Sequence, residues 1–182
     1  MATTTGLMTV EEARQIPETG SFYYELHHGQ LVQVMRPKFK HLLIQRQLRR
    51  LLESVAGDSG MVETELPFRA LPQYEFRVAD VAYVTAERWR GIDLNDNLRG
   101  VPEIVIEVLS PSNTASEIHD KEALCLENGG REFWVVNPDL RQVKVSTPDG
   151  LTRTYQAGGK IPLNVLGPGL ELDVDAIFVG IA

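Results

Sequence analysis

The sequence predicts an α/β protein in which a mixed β-sheet is flanked by helices, with hairpins at both ends of the chain. Three observations predict it. Residues 103 to 137 run strand, helix, strand, the order of a crossover unit that makes its two strands parallel neighbours with the helix on the sheet. Near the start, "FYYEL" and "LVQVM" flank "HHGQ", the pattern of a hairpin closed near Gly29. Beyond residue 140, "QVKVST", "LTRTYQ" and "LELDV" are short strands separated by "PDG", "AGGK" and "LGPG" turns.

Each element has a local reason. The polar, Thr-rich start leads into "TVEEARQ", a short helix capped by Thr9 with Glu12 three residues on. Pro37 opens a longer helix in which Ile44, Leu48, Leu51, Leu52 and Val55 recur at three and four residues, and Gly57 stops it. His41 falls on the same stripe. "MVETELPFRAL" and "FRVADVAYV" are rich in strand formers, with a break around Tyr74. "ERWRGIDLNDNLRG" reads as a surface turn or short helix and as the most mobile connection in the chain. "PEIVIEVL" is a strand stopped by "SPSN". A helix follows with Thr114 or Asn113 as its N-cap and Gly129 at its end, and "REFWVVN" is the next strand.

The bulk numbers narrow the class. At 182 residues, 43% hydrophobic and 24% charged, the chain is expected to fold as one domain over residues 1–182, with an N-terminal arm at 1–20 and a β-rich extension at 148–182. A single cysteine, Cys125, excludes an intrachain disulfide and a Cys-rich zinc site, and no apolar run approaches membrane-spanning length. A cytoplasmic location is the expectation. The net charge of −7 argues against nucleic-acid binding through the overall field. A local exception runs from Arg36 to Arg50, where six Lys or Arg occur with no acid; Arg46, Arg49 and Arg50 lie off the apolar stripe, as a face for phosphates or simply a solvated one.

Two apolar strands each hold one misplaced acid. Glu107 stands among Ile104, Val105, Ile106, Val108 and Leu109, and Asp80 among Val78, Val81, Ala82 and Val84. A buried carboxylate must be neutral, bonded to donors, paired with a cation or bound to a metal. Asp80 could pair with Arg77 or mark a strand end, and Glu107 could bridge to an arginine. On the following helix, Ile118, Lys121, Leu124, Cys125 and Asn128 share a stripe, so Lys121 faces the sheet unless it snorkels to water. Two acids and a lysine at one sheet edge suit phosphodiester hydrolysis: hard oxygens hold Mg²⁺ or Mn²⁺, and the lysine orients water or meets developing charge.

The motifs "YYELHHGQLVQV", "HLLIQRQLRRLL", "FRVADVAYV", "PEIVIEVLSPSN" and "DKEALCLENGGREFWVVNPD", in that order over roughly residues 8 to 147, resemble the PD-(D/E)XK nuclease superfamily and, within it, the bacterial restriction-endonuclease-like family of the Uma2 or DUF820 type. The resemblance implies a restriction-endonuclease-like fold and Mg²⁺-dependent (or Mn²⁺-dependent) cleavage of DNA. It implies Asp80 and Glu107 as metal ligands with the Val108 carbonyl as a third, and Lys121 as the catalytic lysine moved to the next helix, since position 109 is Leu where the motif has Lys. It adds Glu25 as an early acid of the site and His41 at the start of the long helix. Three positions depart from the pattern: Ala79 before the first acid, Cys125 where Tyr is frequent, and Asn137 where Asp is common. Ser110 reads as a turn cap, because no Gly-x-Ser-x-Gly elbow surrounds it. A homodimer or higher homo-oligomer is the expected assembly, two symmetric sites serving two strands. A non-catalytic accessory protein on the same fold and a hydrolase of another phosphate ester are the alternative readings.

Overall fold

The computed structural model describes residues 6–18, 20–111 and 113–181; the Thr-rich start and Ser112 of the predicted turn lie outside the described residues. The elements run α1 (Val10–Ala13), β1 (Phe22–His27), β2 (Gln30–Met35), α2 (Phe39–Ala56), β3 (Gly60–Arg69), β4 (Arg77–Thr85), α3 (Ala86–Arg90) and β5 (Leu98–Arg99). They continue with β6 (Ile104–Val108), α4 (Ala115–Glu127), β7 (Glu132–Asn137), β8 (Gln142–Ser146), β9 (Thr152–Gln156), β10 (Lys160–Pro162), β11 (Glu171–Asp173) and α5 (Val174–Ile177).

Seven strands form one mixed sheet in the order β5-β3-β4-β6-β7-β8-β9, and β1-β2 and β10-β11 are separate hairpins near the two ends. β6 and β7 are the parallel pair joined by α4, in register from Ile104↔Glu132 to Val108↔Val136. Alternation along the central strands sends side chains to two apolar clusters. Ile104, Ile106, Trp134 and Val136 join Leu48 and Leu52 of α2, while Val105, Phe133 and Val135 join Leu124 and Cys125 of α4. The sheet is thus covered on both faces, which is why β6 and β7 read as continuous apolar runs.

The predicted caps are present: Thr9 with Glu12 and Thr114 with Glu117 each form a reciprocal capping box. The β1-β2 turn is His28-Gly29, both at positive φ (50° and 76°), as a two-residue hairpin turn requires. A Cβ on Gly29 would lie 2.8 Å from Cβ of Leu7, so the turn also needs glycine for space.

The segment after α3 is anchored: Asp96 accepts from Arg14, from Arg69 at 3.3 Å and from Arg99 at 2.9 Å, and β5 adds to the edge of the sheet. The residues after 148 are integral to the core, since β9 extends the main sheet and Ile161, Leu163, Leu172, Val174, Ile177 and Phe178 pack in the α2 cluster. Among the described residues no helix is long and apolar enough to cross a membrane.

One ion-pair network fixes α4 against the sheet. Arg77 of β4, 1% exposed, donates to Glu75 at 2.9 Å and to Asp120 of α4 at 2.9 Å, while His28 contacts both acids at 2.7 and 2.9 Å. Asp120 precedes Lys121, so this clamp sets where the lysine stands. Breaking a buried pair from one side leaves a charge unpaired, so Arg77→Ala is expected to lower stability by about 3–5 kcal/mol. Urea unfolding followed by circular dichroism measures it; a loss below about 1 kcal/mol would contradict the clamp.

Candidate active site

β4 and β6 pair antiparallel from Tyr83↔Ile104 to Val81↔Ile106 and stop there, although β4 begins at Arg77 and β6 ends at Val108. The next register position would set Asp80 opposite Glu107. Past this point the strands part, and backbone groups that a ladder would have used need other partners. Side chains supply them. The Val108 amide donates to Asp80 Oδ2 at 2.7 Å, the Val78 amide donates to Glu25 Oε1 at 3.1 Å, and the Val78 carbonyl accepts from Lys121 Nζ at 2.6 Å.

The residues singled out from the sequence converge here. Lys121 Nζ lies 2.8 Å from Glu107 Oε1; each of these residues is only 7% exposed. His41 Nε2 lies 3.0 Å from Asp80 Oδ1, and Glu25 Oε2 lies 2.6 Å from His27 Nε2. Asp80 is therefore not paired with Arg77, and Glu107 is bridged by lysine rather than arginine. Glu25, His41, Asp80, Glu107 and Lys121 all line one cleft of about 1000 Å³. Val108 meets the site through its amide. Ser110 belongs to the turn between β6 and α4, where its amide and hydroxyl both donate to Asn113 Oδ1 at 2.8 and 2.9 Å.

Two residues of the site escaped the sequence reading. Gln45, one turn beyond His41 and 1% exposed, donates from Nε2 to Asp80 Oδ1 at 3.0 Å and also to Glu65. Glu65 lies on β3 between the pairs Thr64↔Val81 and Leu66↔Ala79, hence opposite Asp80, with φ at 52°. A non-glycine residue held in the left-handed region of a strand costs on the order of 1–3 kcal/mol. Glu65, Asp80 and Glu107 thus occupy successive positions across three neighbouring strands. Like charges set opposite one another destabilise a sheet, so three abreast need compensation.

Electrostatics follow from that crowding. Burial pushes the Glu107 carboxyl up to about 8; Lys121 pulls it down without overcoming burial, and Asp80 adds to the rise. Burial also opposes charge on Lys121, yet Glu107, Glu25 and Asp80 hold its ammonium above the ordinary lysine value. Glu65 is raised by burial, against the Gln45 bond and with Asp80. Burial works against ionised Glu25, but Lys121 and His27 outweigh it and hold its carboxyl low. His41 is desolvated too, and the contact with Asp80 keeps its pKa raised. Burial, followed by Glu25, Glu65 and Asp80, raises the Tyr23 phenol, so it stays protonated. Cys125 is no nucleophile: burial pushes its thiol up to about 12.

The donor set suits a hard divalent cation. Four carboxylates, from Glu25, Glu65, Asp80 and Glu107, crowd one lysine on the cleft wall. Among the described residues no three His, Cys, Asp or Glu side chains form a ready metal cage. Their oxygens are engaged by Lys121, Gln45, His27 and the Val108 and Val78 amides. Mg²⁺ needs no such cage, because it binds through one or two carboxylates and keeps several waters.

Arg46, Arg49 and Arg50 do not reach this cleft. Arg49 pairs with Glu53 at 2.9 Å and Glu63 at 3.3 Å, and Arg46 and Arg50 line a separate depression beside Val179 and Ile181. Besides Arg77 and Lys121, the cations along the cleft are Arg36, Lys38 and Lys40, around the start of α2, which has no side-chain cap and no acid in its first turn.

Comparison with known proteins shows the family and the fold. Residues 10–175 match the model of the Uma2 family, described as "Putative restriction endonuclease". A solved structure, that of a "putative nuclease belonging to DUF820" from Anabaena variabilis ATCC 29413, superposes with a TM-score of 0.81 at 22% identity, covering 96% of this chain and 99% of its own. At that identity the likeness shows the fold alone. No curated protein matches.

The raised carboxyl has a measurable consequence. An unfolded glutamate titrates near 4.5, whereas Glu107 holds its proton to about 8 in the folded state. Between those values the native state keeps a proton that the unfolded chain has released, so this group's contribution to stability is present below pH 4.5 and lost as pH rises through 8. With divalent cations chelated, the wild-type melting temperature is expected to fall across this window more steeply than that of Glu107→Gln. Parallel melting curves against pH would contradict the assignment.

Proposed function

Because the chain belongs to the Uma2 family of putative restriction endonucleases, we propose that it is a Mg²⁺- or Mn²⁺-dependent endonuclease that hydrolyses phosphodiester bonds of DNA. The observation that carries this reading is the meeting of Asp80, Glu107 and Lys121 on one cleft wall, with the lysine 2.8 Å from Glu107.

Asp80 and Glu107 would hold the cation, with the Val108 carbonyl as a further ligand. When bound there, Mg²⁺ or Mn²⁺ supplies a water of lowered pKa and neutralises charge on the phosphate. Lys121 has two of its three N–H donors engaged, by Glu107 and the Val78 carbonyl. Among the described residues the third has no hydrogen-bond partner, so it would orient water or meet charge building on a phosphate oxygen, a contact that partial desolvation strengthens. Its position is set from two sides, by the Val78 carbonyl on β4 and by the Arg77–Asp120 pair at its base. Gln45 and His41 fix the orientation of Asp80 from α2. Glu25 ties the β1-β2 hairpin to Val78 and lines the cleft together with Tyr23. Cleavage of both strands is served by two symmetric copies, so a homodimer is the matching assembly.

The test incubates the full chain with DNA, RNA and a simple phosphate ester, with and without Mg²⁺ or Mn²⁺, beside Asp80→Asn and Lys121→Ala checked for folding by circular dichroism. Metal-dependent DNA cleavage is expected, reduced by about 10²–10⁴-fold in either variant. Cleavage that survives both substitutions, or its absence from the wild type with every metal, would sink the reading. Turnover of the ester alone would move the substrate class.

A further inference from the structure

The cleft that holds the four carboxylates is also lined by three exposed cations, Arg36, Lys38 and Lys40, from the passage between β2 and α2. The other Lys and Arg of its lining, Lys121 and Arg77, are buried and already engaged, by Glu107 and by Glu75 with Asp120. Arg36 and Lys40 each touch one exposed acid, Glu18 at 3.0 Å and Asp139 at 3.7 Å, and Lys38 has no ion-pair partner among the described residues. Such exposed pairs contribute little, so the cations can exchange them for a ligand's phosphates. Nor are these charges placed to steady α2, since cations at the positive end of a helix dipole carry the wrong sign. The carboxylates explain why they are needed. Glu25, Glu65, Asp80 and Glu107 repel an approaching phosphate, on a chain of net charge −7.

We propose that Arg36, Lys38 and Lys40 hold successive phosphates of the substrate strand, so that the ligand of this cleft is a run of phosphodiesters rather than a single phosphate ester. The inference rests on the nuclease reading and narrows its substrate to a polymer gripped through its backbone, by contacts that carry no base-sequence information. Two observations favour a run. The cations are spread rather than gathered on one point: Arg36 leans toward Glu18 ahead of β1, and Lys40 toward Asp139 after β7. A cleft of about 1000 Å³ stands at the upper end of small-molecule sites, more room than one phosphate ester needs. The chain also carries its own control. Arg46 and Arg50, further along α2, line a separate depression with Val179 and Ile181, and Arg49 is paired with Glu53 and Glu63; none of the three lines the cleft.

Fluorescence anisotropy without divalent metal reads binding apart from cleavage. Labelled single-stranded and hairpin-duplex DNA are titrated over a salt series with the wild type and two triple variants of equal charge change, each checked for folding by circular dichroism. One is Arg36→Gln with Lys38→Gln and Lys40→Gln; the other is Arg46→Gln with Arg49→Gln and Arg50→Gln. The cleft triple is expected to lose about 10–100-fold in affinity at low salt and to flatten the salt dependence by about three contacts. The control triple should stay within about twofold of the wild type, and a charge-conserving set, Arg36→Lys with Lys38→Arg and Lys40→Arg, should retain binding. Inorganic phosphate at the same phosphate concentration should fail to displace the strand. Equal losses in the two glutamine triples would overturn the proposal, because the whole-molecule field would then be at work. So would displacement by inorganic phosphate at that concentration, or no DNA binding by the wild type at low salt. Binding that depends on the three cations, without cleavage under any metal, leaves this inference standing and removes the nuclease; metal-dependent cleavage with KM unmoved in the cleft triple does the reverse.

Discussion

The parting of β4 and β6 beyond Val81↔Ile106 is the constraint on which the site depends. Two strands that run on without pairing leave amide and carbonyl groups in need of partners, and an unmet buried group costs on the order of 1–3 kcal/mol. This protein meets the need with the side chains of its site. Asp80 takes the Val108 amide, Glu25 takes the Val78 amide and Lys121 takes the Val78 carbonyl. The side chains proposed for the site are the ones that satisfy this backbone, so the acids are held in fixed positions by the same contacts.

The cost of the arrangement is electrostatic. Glu65, Asp80 and Glu107 stand abreast on β3, β4 and β6, with Glu25 close by and Lys121 as the buried cation among them. Two unit charges about 4 Å apart at an effective protein dielectric repel by about 4 kcal/mol. The protein relieves this by keeping a proton on Glu107, by raising Glu65 and by drawing charge onto Lys121 and His41. A divalent cation bound there would relieve the same excess in one step. The packing around the site resists collapse into a simpler solution, because α4 is clamped to β4 through Arg77 and α2 is seated in the core by Ile44, Leu48 and Leu52.

What the sequence disclosed follows from contrast. Asp80, Glu107 and Lys121 were legible because each breaks an apolar pattern of known period, two in strands and one on a helix stripe. The crossover of β6, α4 and β7 was legible for the same reason, and so were both capping boxes. Glu65 was not, since in "MVETELPFR" it alternates with Glu63 as an exposed strand residue would, and only the register of β3 against β4 places it beside Asp80. Gln45 hid as an ordinary helix former on α2, although its position one turn from His41 was available in the spacing. Arg46, Arg49 and Arg50 read as a face for phosphates or a solvated one, and none of them lines the cleft, whereas Arg36, Lys38 and Lys40 do. The segment after α3 read as mobile because turn-forming residues outnumber apolar ones; long-range pairing of Asp96 with Arg14 and Arg69 has no local signature.

The central claim is that this excess of carboxylate exists to hold a cation. Electron paramagnetic resonance of Mn²⁺ titrated into the wild type, Asp80→Asn and Glu107→Gln tests it without reference to any substrate. The account predicts Mn²⁺ bound by the wild type, displaced by Mg²⁺ and lost in both variants. Binding that is unchanged when Asp80 and Glu107 lose their charge would contradict it.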